Sequence, residues 1–428
     1  MKVKPTSTPS TNRMTATVAI IGTCDTKLAE FLFLRDEINK YPKVKTLLID
    51  VGRKPVANDA VDVSVSDLLF KHIPEAEATH LSRGKFIEMV SECTTKLIQD
   101  MFTNGSIDGV ISAGGSGGTA LASAVMRRAV PIGFPKLIVS TIASGDTGFI
   151  IGETDISLMY SVVDIAGLNQ VLRDILANAA AAIAGAASSY SIRREHRPRE
   201  SPAKKRVAIT MFGVTTPGVD SIRSFLESRY PIETYVFHAT GHGGMAMERL
   251  IRNRQIDAVI DLTTTEICDL IMGGQMSAGD ERLDAAIEAG IPNIISLGAL
   301  DMANFGPKAS VPAKYQDRPQ VEHNPLVTLV RSSESDCKSI AEFICDKLKR
   351  LKTTALTQVW IPKGGVSMLS VPGGPFYDEA ADAALFDTLK ANLAHTGIKV
   401  IEDPGHVNNL QFAIHVAEAL VEVMQLSH

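Results

Sequence analysis

The feature that most constrains this chain is a recurring unit. A short, nearly continuous apolar run is closed by glycine or small polar residues, and a stretch with helical spacing follows. In the first half the runs are "TVAIIG", "VKTLLIDV", "IDGVISAG", "PKLIVST" and "DISLMYS". In the second they are "RVAITMFG", "ETYVFHA", "IDAVIDL", "PNIISLG", "LTQVWIP" and "GIKVIED". A strand with one wet face alternates polar and apolar residues, and these do not. Strands apolar on both sides belong to a mainly parallel sheet covered by helices on both faces. Between them, residues 26–40 and 86–102 carry apolar positions at three- and four-residue spacing, which predicts helices.

The halves echo each other. "VAIIGTCDT" at Val18 parallels "VAITMFGVTT" at Val207, "IDGVISAGGSGGT" at Ile107 parallels "IDAVIDLTTTE" at Ile256, and "GFPKLIVSTIASG" at Gly133 parallels "GIPNIISLGAL" at Gly290. A diverged duplication accounts for this, as does the general likeness of parallel α/β units. A chain of 428 residues exceeds one ordinary core, so two domains are expected. The sharpest composition shift is "SSYSIRREHRPRESPAKKR", residues 188–206, read as a basic, proline-containing linker, with a nucleic-acid or localisation patch as the alternative. The expected organisation is a disordered leader at 1–15, an N-terminal α/β nucleotide-binding domain at 16–187, the linker at 188–206 and a C-terminal α/β domain at 207–428. A net charge of −5 supplies no global basic field for nucleic acid or membrane. No run of 18 apolar residues suggests a membrane span. Five scattered cysteines without a C-x-x-C pair favour a reducing, cytoplasmic setting.

Ligands of open α/β sheets sit beyond the carboxyl ends of the strands, so the loops there carry the candidate chemistry. The first is "GTCDTK". Gly22 ends the strand, Thr23 and Thr26 offer hydroxyls, Asp25 can cap the next helix, and Lys27 closes the motif. It reads either as an anion or nucleotide site or as a plain, well-capped turn. The second is "GGSGGT". Gly114, Gly115, Gly117 and Gly118 let backbone N–H groups converge on an anion with no Cβ in the way, and Ser116 and Thr119 add hydroxyls. It is neither a Walker A loop nor a G-x-G-x-x-G fingerprint, and a helix-packing turn is its rival explanation. The third is "STIASGDTG", with Ser144, Gly145, Asp146 and Thr147. Three such loops converging on one sheet edge suggest a phosphate-bearing ligand of nucleotide size. Asp50, closing "TLLID", stands where an acid can accept from a ribose hydroxyl, or is a solvated cap.

The second half offers "FGVTTPG", "FHATGHGGMAME" and "DLTTTE". His238 and His242 are spaced as a metal pair, but no third ligand is evident, so no metal site is assigned and a hydrogen-bonding role is preferred. Asn304 and Lys308 follow in "MANFGPK", where Lys308 could steady an anion or be merely exposed. There is no nucleophile elbow and no H-E-x-x-H. No catalytic residue is assigned, and whether the chain is an enzyme stays open.

At these loops the chain resembles the Tm-one-like ATP-binding family, formerly an uncharacterised protein family, through "IGTCDTK", "GGSGGT", "TIASGDT", "SVVDIAGLN", "TMFGVTTPGV", "VFHATGHGGMAME", "DLTTTE" and "GALDMANFGPK". The likeness covers about residues 16–425 and includes the N-terminal region of a plant virus-resistance member. It implies two Rossmann-like α/β domains, each with a mainly parallel sheet flanked by helices. It also implies ATP and Mg2+ at Gly22–Lys27, Gly114–Thr119 and Thr141–Asp146, the last including Thr141, Ala143, Ser144 and Gly145. Self-association as a homodimer or higher homo-oligomer and an ATP-dependent contact with an unidentified protein partner complete the expectation. The alternative is a metabolic enzyme acting on a phosphorylated or carboxylated small molecule at the inter-domain cleft.

Overall fold

The computed structural model describes residues 15–69, 81–196 and 204–426. The chain forms two compact units, Met1–Arg199 and Glu200–His428, each a Rossmann-like α/β layer structure.

In the first unit, β1 (Ala16–Gly22), β2 (Val44–Asp50), β3 (Gly109–Gly114), β4 (Lys136–Ser140) and β5 (Ser157–Tyr160) form one sheet in the order β2-β1-β3-β4-β5. Every pairing is parallel. Alternate residues along a strand face opposite sides. Here Val18, Ile20 and Ile111 enter a core with Phe31, Leu34, Leu176 and Ile183, whereas Ala19, Ile21 and Val110 enter another with Val90, Ile98, Val125 and Met126. This double burial is why the strands read as continuous apolar runs. Helices Cys24–Asn39 and Gln170–Glu195 cover one face, and Arg83–Thr103 and Ser116–Ala129 cover the other.

The second unit repeats the winding with β6 (Lys205–Met211), β7 (Ile232–His238), β8 (Ala258–Thr263), β9 (Asn293–Gly298), β13 (Thr357–Pro362) and β14 (Lys399–Asp403), all parallel in the order β14-β13-β9-β8-β6-β7. Between β9 and β13 it carries a feature the sequence reading did not anticipate. This is an antiparallel sheet of β10 (Met302–Phe305), β11 (Gln320–Asn324) and β12 (Val327–Arg331), ordered β10-β12-β11.

Two boundaries differ from expectation. Residues 188–195 are the last turns of the helix Gln170–Glu195, whose Arg193 and Arg194 suit the negative end of its dipole, and Lys205 already lies in β6. The part of the linker reading at 197–203, and the leader except Thr15, lie outside the described residues. Among the described residues Gln170–Glu195 is also the one helix long and apolar enough to cross a membrane. Its Leu172, Leu176, Ala180, Ile183 and Ala187 are buried in the first unit's core.

Candidate functional site

In a sheet wound second-first-third, the chain turns opposite ways after the first and third strands, and the crevice between those turns is the usual ligand position. In the first unit that crevice lies between the loops leaving β1 and β3. A cleft of about 360 Å³ opens there, within the size range of small-molecule sites. The first loop contributes Thr23, Asp25, Thr26 and Lys27 to it, and the second contributes Gly115, Ser116, Gly117 and Gly118.

The glycines of these two loops separate into two kinds. Gly22 and Gly114 serve the protein's own packing: a Cβ would stand 2.7 Å from the Phe31 ring at Gly22 and 3.2 Å from the Gly118 Cα at Gly114. Gly115, Gly117 and Gly118 have room. Their nearest neighbours would be Thr141 Oγ1 at 3.7 Å, Arg83 Nη2 at 3.6 Å and the Ala113 carbonyl at 3.9 Å, and none of the three has a positive φ. Neither packing nor backbone conformation asks for glycine at these positions. What glycine does there is leave the cleft wall without side chains. Gly115 is the N-cap of the helix Ser116–Ala129 and brings no side chain to cap it, so the first-turn N–H groups stay available at the positive end of the dipole.

The other expected residues stand elsewhere. Asp50 is fully buried and is neither a solvated cap nor open to a ribose; its Oδ1 accepts from the N–H groups of Cys24 at 3.0 Å and Gly52 at 2.8 Å. Burial pushes its pKa up, and pushes the neighbouring Cys24 thiol up as well. Asp25 makes no cap. Its Oδ2 accepts from the N–H groups of Arg53 at 3.0 Å and Lys54 at 3.3 Å, tying the loop after β1 to the loop after β2. Thr119 turns inward, its Oγ1 2.7 Å from Ser140 Oγ, and offers no hydroxyl to the cleft. Thr141 flanks the glycine turn through its N–H bond to the Gly114 carbonyl at 3.2 Å, and Ala143, Ser144 and Gly145 form a turn that does not line the cleft. Lys27 breaks the helix with φ −138° and ψ 29°, and its ammonium donates to the Ile165 carbonyl.

Sequence reasoning missed the opposite wall, which comes from the loop after β2 and the helix Arg83–Thr103. Val51, Arg53, Arg83, Phe86 and Ile87 line it, with Leu121 from the glycine helix. No local motif marks these residues; the fold alone gathers them.

The corresponding edge of the second unit is filled. Glu266 Oε1 accepts from the N–H groups of Gly241 at 2.7 Å and Gly244 at 3.0 Å, while Oε2 accepts from Arg282 Nε at 2.8 Å. The Arg282 guanidinium, 1% exposed, also reaches both oxygens of Asp261 at 2.6 Å and lies 3.4 Å from Glu248. Asn408 Oδ1 accepts from the Gly218 N–H at 3.1 Å, near the start of the helix Thr216–Arg229. The glycines here are packing glycines: a Cβ on Gly243 would meet the His238 carbonyl at 1.8 Å, and one on Gly244 would meet Glu266 at 2.1 Å. His238 stacks on Phe212 with centroids 5.6 Å apart. Asn304 is buried and donates to Asp269 Oδ2 at 2.7 Å, and Lys308 pairs on the surface with Glu322 at 2.9 Å rather than facing an anion site. Burial raises Asp269 to about 7 despite its hydrogen bonds.

Fold and edge geometry define a two-domain Rossmann-like α/β protein with an open strand-end cleft in its first unit. Residues 16–192 match the N-terminal domain, and residues 204–424 the C-terminal domain, of the uncharacterised protein family UPF0261, and the chain belongs to that family. A UPF0261 protein of Clostridium tetani is 40% identical over 423 residues, covering 96% of this chain and all of the relative. The ToMV resistance protein Tm-1(GCR237) of Solanum lycopersicum is 39% identical over 426 residues, 95% of this chain but 55% of the tomato protein. A solved UDP-N-acetylglucosamine 2-epimerase from Rickettsia bellii overlaps 66% of this chain and 78% of its own at 13% identity with a TM-score of 0.22, too slight to carry an argument. The family description names no ligand, so a binding role rests on the geometry of the cleft.

Proposed function

We propose that this chain binds ATP with magnesium, the triphosphate lying against the Gly115–Gly118 turn of the first unit. One observation carries the reading: three cleft-lining glycines within four residues, Gly115, Gly117 and Gly118, that neither packing nor φ requires, at a helix start with no side-chain cap. Such a turn admits phosphate oxygens to the backbone amides. Ser116, Thr23 and Thr26 offer hydroxyls at the same opening, and Lys27, Arg53 and Arg83 supply positive charge. Among the described residues no three His, Cys, Asp or Glu side chains converge on a metal position. Magnesium fits as a phosphate-borne ion that keeps most of its waters, with Asp25 the carboxylate at hand. Bound there, it would offset the phosphate charge. Self-association and an ATP-dependent protein contact are proposed on the resemblance alone, and a cytoplasmic location on the five free thiols. The rival reading, an enzyme using the loops at His238–Gly244 and Asp261–Glu266, loses support because the protein's own carboxylates fill that edge.

The test is calorimetric titration of the full chain with Mg-ATP. Saturable binding is expected, weakened at least tenfold by Gly117→Val with the melting temperature retained. Absence of binding, or a Gly117→Val protein with wild-type affinity, refutes the reading.

A further inference from the structure

The cleft has an end that phosphate chemistry does not use. Arg83, at the first position of its helix, places Nη2 3.6 Å from where a Cβ on Gly117 would stand. Phe86 and Ile87 come one turn later, about 5 Å along the axis. There the lining becomes apolar, with Val51 and Leu121 joining them. Val51, Phe86 and Leu121 belong to one of the two cores of the first unit, so this is where that core reaches the opening. Arg53 borders the same end. Its guanidinium lies 5.7 Å from the Phe86 ring centroid, and its Nη2 donates to the Leu81 carbonyl. A guanidinium held against a ring and tethered to a carbonyl is a positioned flat plate, and Arg53 remains solvent-exposed.

We infer that this end seats the base of the nucleotide, stacked on the Arg53 plate, and reads it as a flat ring rather than as adenine. The inference rests on the nucleotide reading above. Its second half follows from what the described residues of the seat lack. Choosing one base over another needs donors and acceptors aimed at the base edge. The Val51 N–H is committed to the Gly22 carbonyl at 2.8 Å, the Phe86 N–H to Ser82 at 2.9 Å, and the Arg53 N–H to Asp25. Ile87 and Leu121 lie inside helices, whose interior amides are spent along the axis. The side chains of Val51, Phe86, Ile87 and Leu121 are all apolar. Stacking tolerates every base because every base has a π-face, whereas rejection by a factor of about 10⁴ requires buried polar groups built for one edge.

The experiment titrates the full chain, in excess magnesium, with ATP, GTP and inorganic tripolyphosphate, for the wild type and for Arg53→Lys. The lysine keeps the charge and removes the plate, which separates stacking from phosphate attraction. ATP and GTP are expected within about tenfold of each other, with tripolyphosphate weaker by about 5- to 150-fold, the range of one base–plane stack. Arg53→Lys should bring ATP toward tripolyphosphate and leave tripolyphosphate unchanged. A preference between ATP and GTP above about a hundredfold overturns the ring-only reading. Tripolyphosphate as tight as ATP, or an Arg53→Lys protein that binds ATP normally, overturns the seat. Binding of none of the three overturns the nucleotide reading itself.

Discussion

The two units wind their sheets in the same strand order and finish their strand ends in opposite ways. In the first, the glycine turn leaves the amides of its helix without a side-chain cap and the cleft wall bare. In the second, the amides of Gly241 and Gly244 are taken by Glu266, whose charge is met by Arg282. Glu266 thus occupies, as part of the chain, the kind of position that the first unit holds open. A strand-end loop rich in glycine is therefore not by itself a ligand site. The separating question is whether the amides and the space beside the glycines are already used by the protein.

The largest effect should come from removing the central cation of the filled edge. Arg282 lies among Asp261, Glu266 and Glu248, three carboxylates around one guanidinium, all buried. Arg282→Leu leaves that negative charge uncompensated, and breaking a buried pair in this way costs about 3–5 kcal/mol. Urea denaturation should show the second unit unfolding at much lower denaturant while Mg-ATP affinity in the first unit is unchanged. If the midpoint barely moves, the cluster is not what holds this edge together.

A smaller effect tests whether Glu266 stands in for a ligand. Glu266→Ala removes the acceptor of two backbone N–H groups and one Arg282 donor but leaves Asp261 and Glu248 around Arg282, and the space it vacates admits solvent, so the cost should be about 1–3 kcal/mol in all. Acetate can re-enter the vacated position as a free carboxylate. A ligand that binds only the folded state stabilises by mass action. Added acetate should therefore raise the melting temperature of Glu266→Ala more than that of the wild type. Equal responses would break the equivalence between the two edges.

The sheets were legible because burial on both faces makes strands continuously apolar, a pattern local sequence records directly. The antiparallel sheet was not, since "MANF", "QVEHN" and "VTLVR" are short and mixed, with β11 largely exposed. At the cleft, the glycine turn and the loop after β1 could be read, but Arg53, Arg83 and Phe86 could not, because they reach the opening from separate elements. Asp50 illustrates the remaining gap. A strand-terminal aspartate looks the same whether it faces a ribose or is folded under its own loop, and here the amides of Cys24 and Gly52 claim it. "GGSGGT" and "GHGGM" likewise look alike because glycine records that a side chain is absent and not what stands in its place.

That ambiguity yields the last and smallest test, a pair of identical substitutions with opposite signs. Gly243→Ala drives a methyl group to 1.8 Å from the His238 carbonyl, a backbone atom with no flexible end to move aside. Overpacking of this sort costs about 1–3 kcal/mol, and the second unit should lose that much. Gly117→Ala meets nothing nearer than the far end of Arg83 at 3.6 Å, in the first turn of a helix. Alanine there loses less backbone freedom on folding than glycine, so stability should rise by up to about 1 kcal/mol. Nucleotide affinity should fall in the same protein, because the new methyl group occupies the phosphate's approach. Thermal denaturation and Mg-ATP titration of the two variants measure both signs. A Gly117→Ala protein that is destabilised would mean the first unit uses its glycines as the second does, and the contrast between an open and a filled edge would go with it.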